Sequence, residues 1–135
     1  MSEPIRGVVV AHADLAAALT RAVECIAGVA DALAPISNDG SGPEEVRRAV
    51  ETAVGGGPAI VFTDLSSGSC ALVGRMVAGH RNQVAVLTGA NLPMLLDFVF
   101  HREMEFGPLV ERLVSKGRGG ISVSPKDPPR GAPKR

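Results

Sequence analysis

The sequence has no tryptophan and no tyrosine, and only four phenylalanines among its 135 residues. A chain so poor in rings has little on which to stack unpaired bases, which argues against nucleic acid as a partner. It also lacks net charge: 14 basic residues balance 14 acidic ones. No broad field is there to gather a polyanion or a polycation. Cysteine is scarce. Cys25 and Cys70 are the only two, and neither sits in a Cys-x-x-Cys pair. That is too few for a disulfide scaffold or a structural zinc site, and both are read as small core or near-surface residues. No Walker-type loop and no metal-ligand spacing is present, so no metal and no other cofactor is expected. Gly55-Gly-Gly-Pro58 precedes a strand rather than following one, the wrong order for cradling a phosphate. The longest apolar runs have strand length, far short of a membrane span. The N-terminus shows no basic region followed by a long apolar segment, so a cytoplasmic location is expected.

What is present is a regular alternation of strand and helix signals. Ile5 to Ala11 is continuously apolar, as a strand buried on both faces requires. Leu15, Leu19, Ala22, Val23 and Ile26 repeat at helical spacing, predicting a helix over 13–27 that Gly28 stops. Residues 32–36 form a short second strand. Ser41 and Glu44 have the spacing of a capping box, ahead of a helix whose stripe is Val46, Ala49, Val50, Ala53 and Val54. Strands are expected at 59–63 and 83–88, and a helix at 69–78. Pro93 fits the first turn of a fourth helix with Leu92, Leu95, Leu96, Val99 and Phe100 as its apolar face. A fifth helix carries Phe106, Leu109, Val110, Leu113 and Val114, ends at Gly117 to Gly120, and precedes a short last strand over Ile121 to Ser124. Residues 125–135 are Pro-rich, basic and aperiodic, and are expected to be a disordered tail to a domain of residues 1–124.

This order predicts an α/β fold: one domain, a doubly wound, mainly parallel sheet with helices on both faces. The expected strand order is 2-1-3-4, with the switch point between the first and third strands. Ligands bind at such a switch point, beyond the carboxyl ends of the strands. His12 ends the first strand and Asp64 the third, so residues far apart in sequence would meet there. A carboxylate on one imidazole nitrogen fixes the tautomer and leaves the other nitrogen nucleophilic. Ser66, Ser67, Gly68 and Ser69 add hydroxyls and free N–H groups able to cradle a phosphoryl group. His12 is therefore expected to accept phosphoryl, with Asp64 orienting it. Without a nucleotide site, the group should come from another phosphoprotein. His80 and His101, beside Arg81 and Arg102, are read as solvated surface residues, and Asp14 as a first-turn charge.

Three segments in order and spacing carry a resemblance: Val8-Val-Val-Ala-His12, Val61-Phe-Thr-Asp64-Leu-Ser-Ser-Gly-Ser69 and Thr88-Gly-Ala-Asn-Leu-Pro-Met-Leu-Leu96. Together they resemble the IIA domain of the mannose/fructose/sorbose-type sugar phosphotransferase system over residues 5–124. The resemblance implies a phosphoryl carrier that takes the group from phospho-HPr on His12 and passes it to a IIB component. It implies Asp64 as the orienting carboxylate, and Gly68 and Ser69 as phosphoryl-binding residues. It also implies contact with the membrane only indirectly, through a IIC/IID permease. Relatives are homodimers whose last strand adds to the neighbouring sheet, which here would be Ile121–Ser124. The family loop usually reads Asp-x-x-Gly-Gly-Ser-Pro-x-Asn, whereas Ser67, Cys70 and Leu72 stand at its first glycine, its proline and its asparagine. No IIB domain is attached in this sequence, so the acceptor is expected to be a separate protein. An apolar docking rim is expected at Leu15 and Leu65. Two other readings stay open: a regulatory module whose partners sense phosphorylation of His12, and a relay to a dihydroxyacetone-type kinase.

Overall fold

β1 (Arg6–Ala11) lies at the centre of a parallel sheet because its run of valines can be buried on both sides. β2 (Leu33–Ser37) pairs with one edge of β1, β3 (Ala59–Thr63) with the other, and β4 (Val84–Thr88) with β3. The order is β2-β1-β3-β4, as the alternation predicted. The computed structural model describes residues 3–126.

Helices α1 (Leu15–Ala27), α4 (Leu92–Phe100) and α5 (Phe106–Gly119) cover the face that carries Val9, Ile60 and Phe62. Helices α2 (Pro43–Val54) and α3 (Ser69–Ala78) cover the other, packing on Val8, Val10 and Val61. Phe62 meets Phe98 edge to face, with centroids 5.2 Å apart. A fully buried ring of this kind contributes roughly 1.5–3 kcal/mol by leaving water. Gly7 makes the arrangement fit, since a Cβ there would run into the Phe98 ring and Leu33.

The register positions the functional end of the sheet. Val10 pairs with Thr63 and Ala11 with Ser37, so the chain leaves β1, β3 and β2 side by side at His12, Asp64 and Asn38.

Several boundaries differ from the sequence reading. α1 begins at Leu15 rather than Ala13, because Ala13 takes a left-handed conformation with φ 51°. Its buried face is Ala16, Thr20 and Val23, while Leu15 and Ile26 are exposed: small residues let the helix sit close to the sheet. Gly42 rather than Ser41 caps α2, with Pro43 in the first turn and Glu45 accepting from the Gly42 N–H. Met94 and Phe98 join Leu95 and Val99 in the buried face of α4, and Phe100 is exposed. α5 runs through Gly117, which is buried beneath Met94, whose terminal methyl would have to shift to admit a Cβ. The short strand over Ile121–Ser124 is not formed. The Ile121 N–H bonds back to Arg118 at the end of α5, and residues 121–124 pair with no strand among the described residues. Of the expected tail, residues 127–135 lie outside the described residues.

Candidate functional site

His12 and Asp64 meet at the switch point. The Asp64 Oδ2 atom lies 2.8 Å from His12 Nδ1 and accepts the His12 backbone N–H at 3.0 Å. Its other oxygen accepts from the Leu65 N–H at 3.0 Å. An ionised carboxylate only accepts, so the ring nitrogen facing it carries the proton, and the lone pair of a neutral ring sits on Nε2. The His12 side chain is 42% exposed and that of Asp64 only 11%. The histidine is thus reachable while its partner is fixed.

Burial pushes the Asp64 carboxyl up, but hydrogen bonds from the His12 backbone and ring, with the ring's charge, outweigh it and hold the carboxyl below its ordinary value. Asp64 is therefore the anionic member of the pair near neutrality.

Gly68 and Ser69 stand at the start of α3. Gly68 precedes its first residue with φ 92° and ψ −175°, a conformation open essentially to glycine alone. It lets the loop turn sharply into the helix and leaves the first N–H groups of α3 unpaired within the helix. Neither Gly68 nor Ser69 bonds to His12. Ser69 is linked to the His12 loop through Asn38, whose Nδ2 donates to Ser69 Oγ at 3.5 Å and whose Oδ1 accepts the Ala13 N–H at 3.4 Å. Ser37 Oγ donates to the Ala13 carbonyl at 2.7 Å, helping to hold the left-handed turn. Ser66 is tied down by Arg75, which donates to its carbonyl.

Ser37 and Asn38 were missed as site residues. The signal was available: the 2-1-3-4 order puts the end of β2 beside the end of β1. Cys70, in the first turn of α3, is a second addition. Its Sγ lies 3.9 Å from His12 Nδ1. Burial, and then the Asp64 charge, push its thiol above the ordinary value against a smaller opposing hydrogen bond to Ser69. His12 Nδ1, a carboxylate oxygen of Asp64 and Cys70 Sγ all lie within 4.8 Å of one another.

The other histidines stay away from the site. His80 is exposed just beyond α3. His101 is half-buried at the end of α4, with Nδ1 2.8 Å from the Asp97 carbonyl, and so is tied to the fold rather than merely solvated. Asp14 precedes α1 and makes no side-chain cap.

Residues 7–114 match the family described as "PTS system fructose IIA component", EIIA-man. The chain belongs to that family. These IIA components are parts of the sugar phosphotransferase system, as the three sequence segments had implied. Among solved structures, the phosphotransferase system component EIIA from Streptococcus agalactiae is 27% identical, with a TM-score of 0.82 over 88% of this chain and 96% of that one. The mannose/sorbose specific IIA subunit from Enterococcus faecalis is 21% identical, with a TM-score of 0.79 over 95% and 98%. The PTS IIA protein associated with the fucose utilization operon from Streptococcus pneumoniae is 22% identical, with a TM-score of 0.75 over 90% and 94%. The last two similarities speak for the fold. No curated protein matches the chain.

The family-specific segment Thr88–Leu96 makes its own contribution away from His12. Asn91 Oδ1 caps α4 by accepting the Met94 N–H at 3.1 Å, and Asn91 Nδ2 donates to the Gly117 carbonyl at 2.9 Å. One side chain thus starts α4 and ties it to α5. No helix among the described residues is long and apolar enough to cross a membrane.

Proposed function

We propose that this IIA component is a phosphoryl carrier in which His12 Nε2 takes the group from phospho-HPr and passes it to a IIB component. The observation that carries the proposal is the 2.8 Å contact between His12 Nδ1 and Asp64 on a half-exposed ring. The P–N bond of the donor breaks as the Nε2–P bond forms. The donor imidazole leaves with the electron pair, and His12 keeps its proton on Nδ1. The phosphorylated ring becomes cationic in character, and Asp64 stabilises that charge. Such transfer needs positioning and electrostatics more than covalent help. The free N–H groups at the starts of α1 and α3, with Gly68 and the Ser69 hydroxyl, are suited to the phosphoryl oxygens.

Leu65 and Leu15 are 55% and 41% exposed beside the pair, which supports an apolar docking rim serving donor and acceptor in turn. The reaction belongs to the cytoplasm, with a IIC/IID permease as the indirect link to the membrane. A homodimer goes with this reading. Among the described residues β4 is an open sheet edge, and Ile121 and Val123 are 78% and 55% exposed. Ile121–Ser124 of each copy would extend the partner's sheet. Light scattering over a dilution series should give a dimer, and deletion of residues 120–135 should give a monomer. An intact protein that is monomeric at micromolar concentration would overturn the dimer.

The central test is incubation with phosphoenolpyruvate, enzyme I and HPr. An acid-labile phosphoryl group should appear on the protein and be absent from His12→Ala. Undiminished labelling of that variant would refute His12 as the acceptor.

A further inference from the structure

We propose that His12, Asp64 and Cys70 form a binding site for a thiophilic divalent metal ion, zinc first among them, and that metal at this site and phosphoryl on His12 exclude each other. The first half stands on geometry alone; the second rests on the carrier function proposed above.

The three donors come from the end of β1, the end of β3 and the first turn of α3. No local motif announces them, and only the fold brings them together. His12 Nδ1 is 2.8 Å from Asp64 Oδ2 and 3.9 Å from Cys70 Sγ, and the ligand atoms all fall within 4.8 Å of one another. Tetrahedral zinc, with bonds of about 2.0–2.3 Å, separates its ligand atoms by roughly 3.3–3.7 Å. To surround an ion, the histidine and aspartate must part by roughly 0.5 Å and the donors lying farthest apart must close by up to about 1 Å.

The donor set selects the metal. A thiolate and an imidazole beside a single carboxylate suit zinc, whereas magnesium and calcium require shells of oxygen. Three protein ligands leave a fourth position, and the half-exposed His12 side provides access to it. The carboxylate is already aimed, because Leu65 and His12 hold its two oxygens through their backbone N–H groups. Supporting bonds of that kind are what orient a ligand for its metal.

The proton count explains the exclusion. Zinc displaces the Cys70 thiol proton to solvent and takes the Nδ1 lone pair of a neutral His12 ring. The single ring proton then sits on Nε2, which has no lone pair left to attack phosphorus. Conversely, a phosphoryl group on Nε2 leaves the ring proton on Nδ1 facing Asp64, so zinc can enter only by displacing that proton and the hydrogen bond it makes, and each occupant opposes the other.

Cobalt(II) titration of the full chain reads the site directly, since a cobalt–thiolate bond gives a charge-transfer band in the near ultraviolet. The band should saturate at one ion per chain, and zinc should abolish it. Cys70→Ala should lose the band and bind zinc, by chelator competition, about 10–100-fold more weakly or worse. Unchanged zinc affinity in Cys70→Ala, or a cobalt complex of the wild-type protein without the thiolate band, would overturn the site. A measurement that needs no variant tests the exclusion: zinc should suppress labelling by phospho-HPr, and protein already phosphorylated should not develop the band. A normal band on fully phosphorylated protein would sink the exclusion and leave the metal site standing. Failure to label in the absence of zinc would instead count against the carrier function, with the cobalt titration still deciding the metal site.

Discussion

His12 and His101 each lie against an aspartate, and the two pairs have opposite characters. At the sheet end, Asp64 is held by backbone N–H groups and by the imidazole, with no guanidinium among its hydrogen-bond partners within the described residues. On the α4–α5 side, Asp97 receives Arg112 through both oxygens, at 2.7 and 3.0 Å. His101 turns its Nδ1 to the Asp97 carbonyl at 2.8 Å, while the nearer carboxylate oxygen is 3.4 Å away. A carboxylate neutralised by a forked arginine has little charge left to offer a ring. The Asp97 pair fastens two helices. The Asp64 pair retains a charge that a phosphorylated imidazole can use. Proximity of histidine and aspartate therefore does not mark a site; what the carboxylate has already spent does.

The largest expected effect separates the pairs by rate. Asp64→Asn should slow transfer from phospho-HPr by about 10²–10⁴-fold, towards the low end because the docking face is wet. Asp97→Asn should leave the rate within about twofold of wild type, because it touches no reacting group. Rapid-quench transfer with circular dichroism as the fold control measures both. Equal slowing in the two variants would erase the contrast.

A smaller effect should run the other way. Asp97→Asn removes the charge-assisted bonds between α4 and α5, and thermal unfolding should show its Tm falling by a few degrees. Asp64→Asn should lose less, since its amide oxygen can still accept one of the two backbone N–H groups, of His12 and Leu65, that the two carboxylate oxygens now share out, and no charge-assisted pair between helices is broken. A lower Tm for Asp64→Asn than for Asp97→Asn would make Asp64 a structural residue first.

Only part of this contrast was legible in the sequence. Strands buried on both faces write themselves as unbroken apolar runs, so β1, β3 and their order could be read, and with them the meeting of His12 and Asp64. Features that depend on close approach could not. Gly117 looks like a helix stop until Met94 is seen resting on it. Ala13 gives no sign of its left-handed turn, because that conformation is imposed by neighbours rather than by its own side chain. Arg112 lies 15 residues beyond Asp97, on another helix, and nothing local links them. Cys70 showed only as a departure from a family loop, because its distance from His12 exists only in three dimensions.

The smallest effect concerns pH and isolates the Asp64 side of the comparison. Burial raises this carboxyl, and the His12 hydrogen bonds and charge lower it further than burial raises it. Its folded value therefore lies below its unfolded one. A carboxyl of this kind adds stability in full above the unfolded value, ordinarily near 4, and that contribution fades as pH falls through the folded value. The Asn variant has no such proton to bind. The Tm gap between wild type and Asp64→Asn should thus be constant from about pH 6 to 8 as far as Asp64 is concerned, and should narrow on acidification below about pH 4. The comparison is best repeated in a His12→Gln background, where the ring's charge is absent. There the depression of Asp64 should shrink, because two of the influences that lower it, the ring hydrogen bond and the ring charge, have been removed, and the narrowing should become shallower. Parallel Tm curves for wild type and Asp64→Asn down to pH 3 would show that the carboxylate gains nothing from His12 in the folded state, and the distinction drawn between the two histidine–aspartate pairs would then rest on kinetics alone.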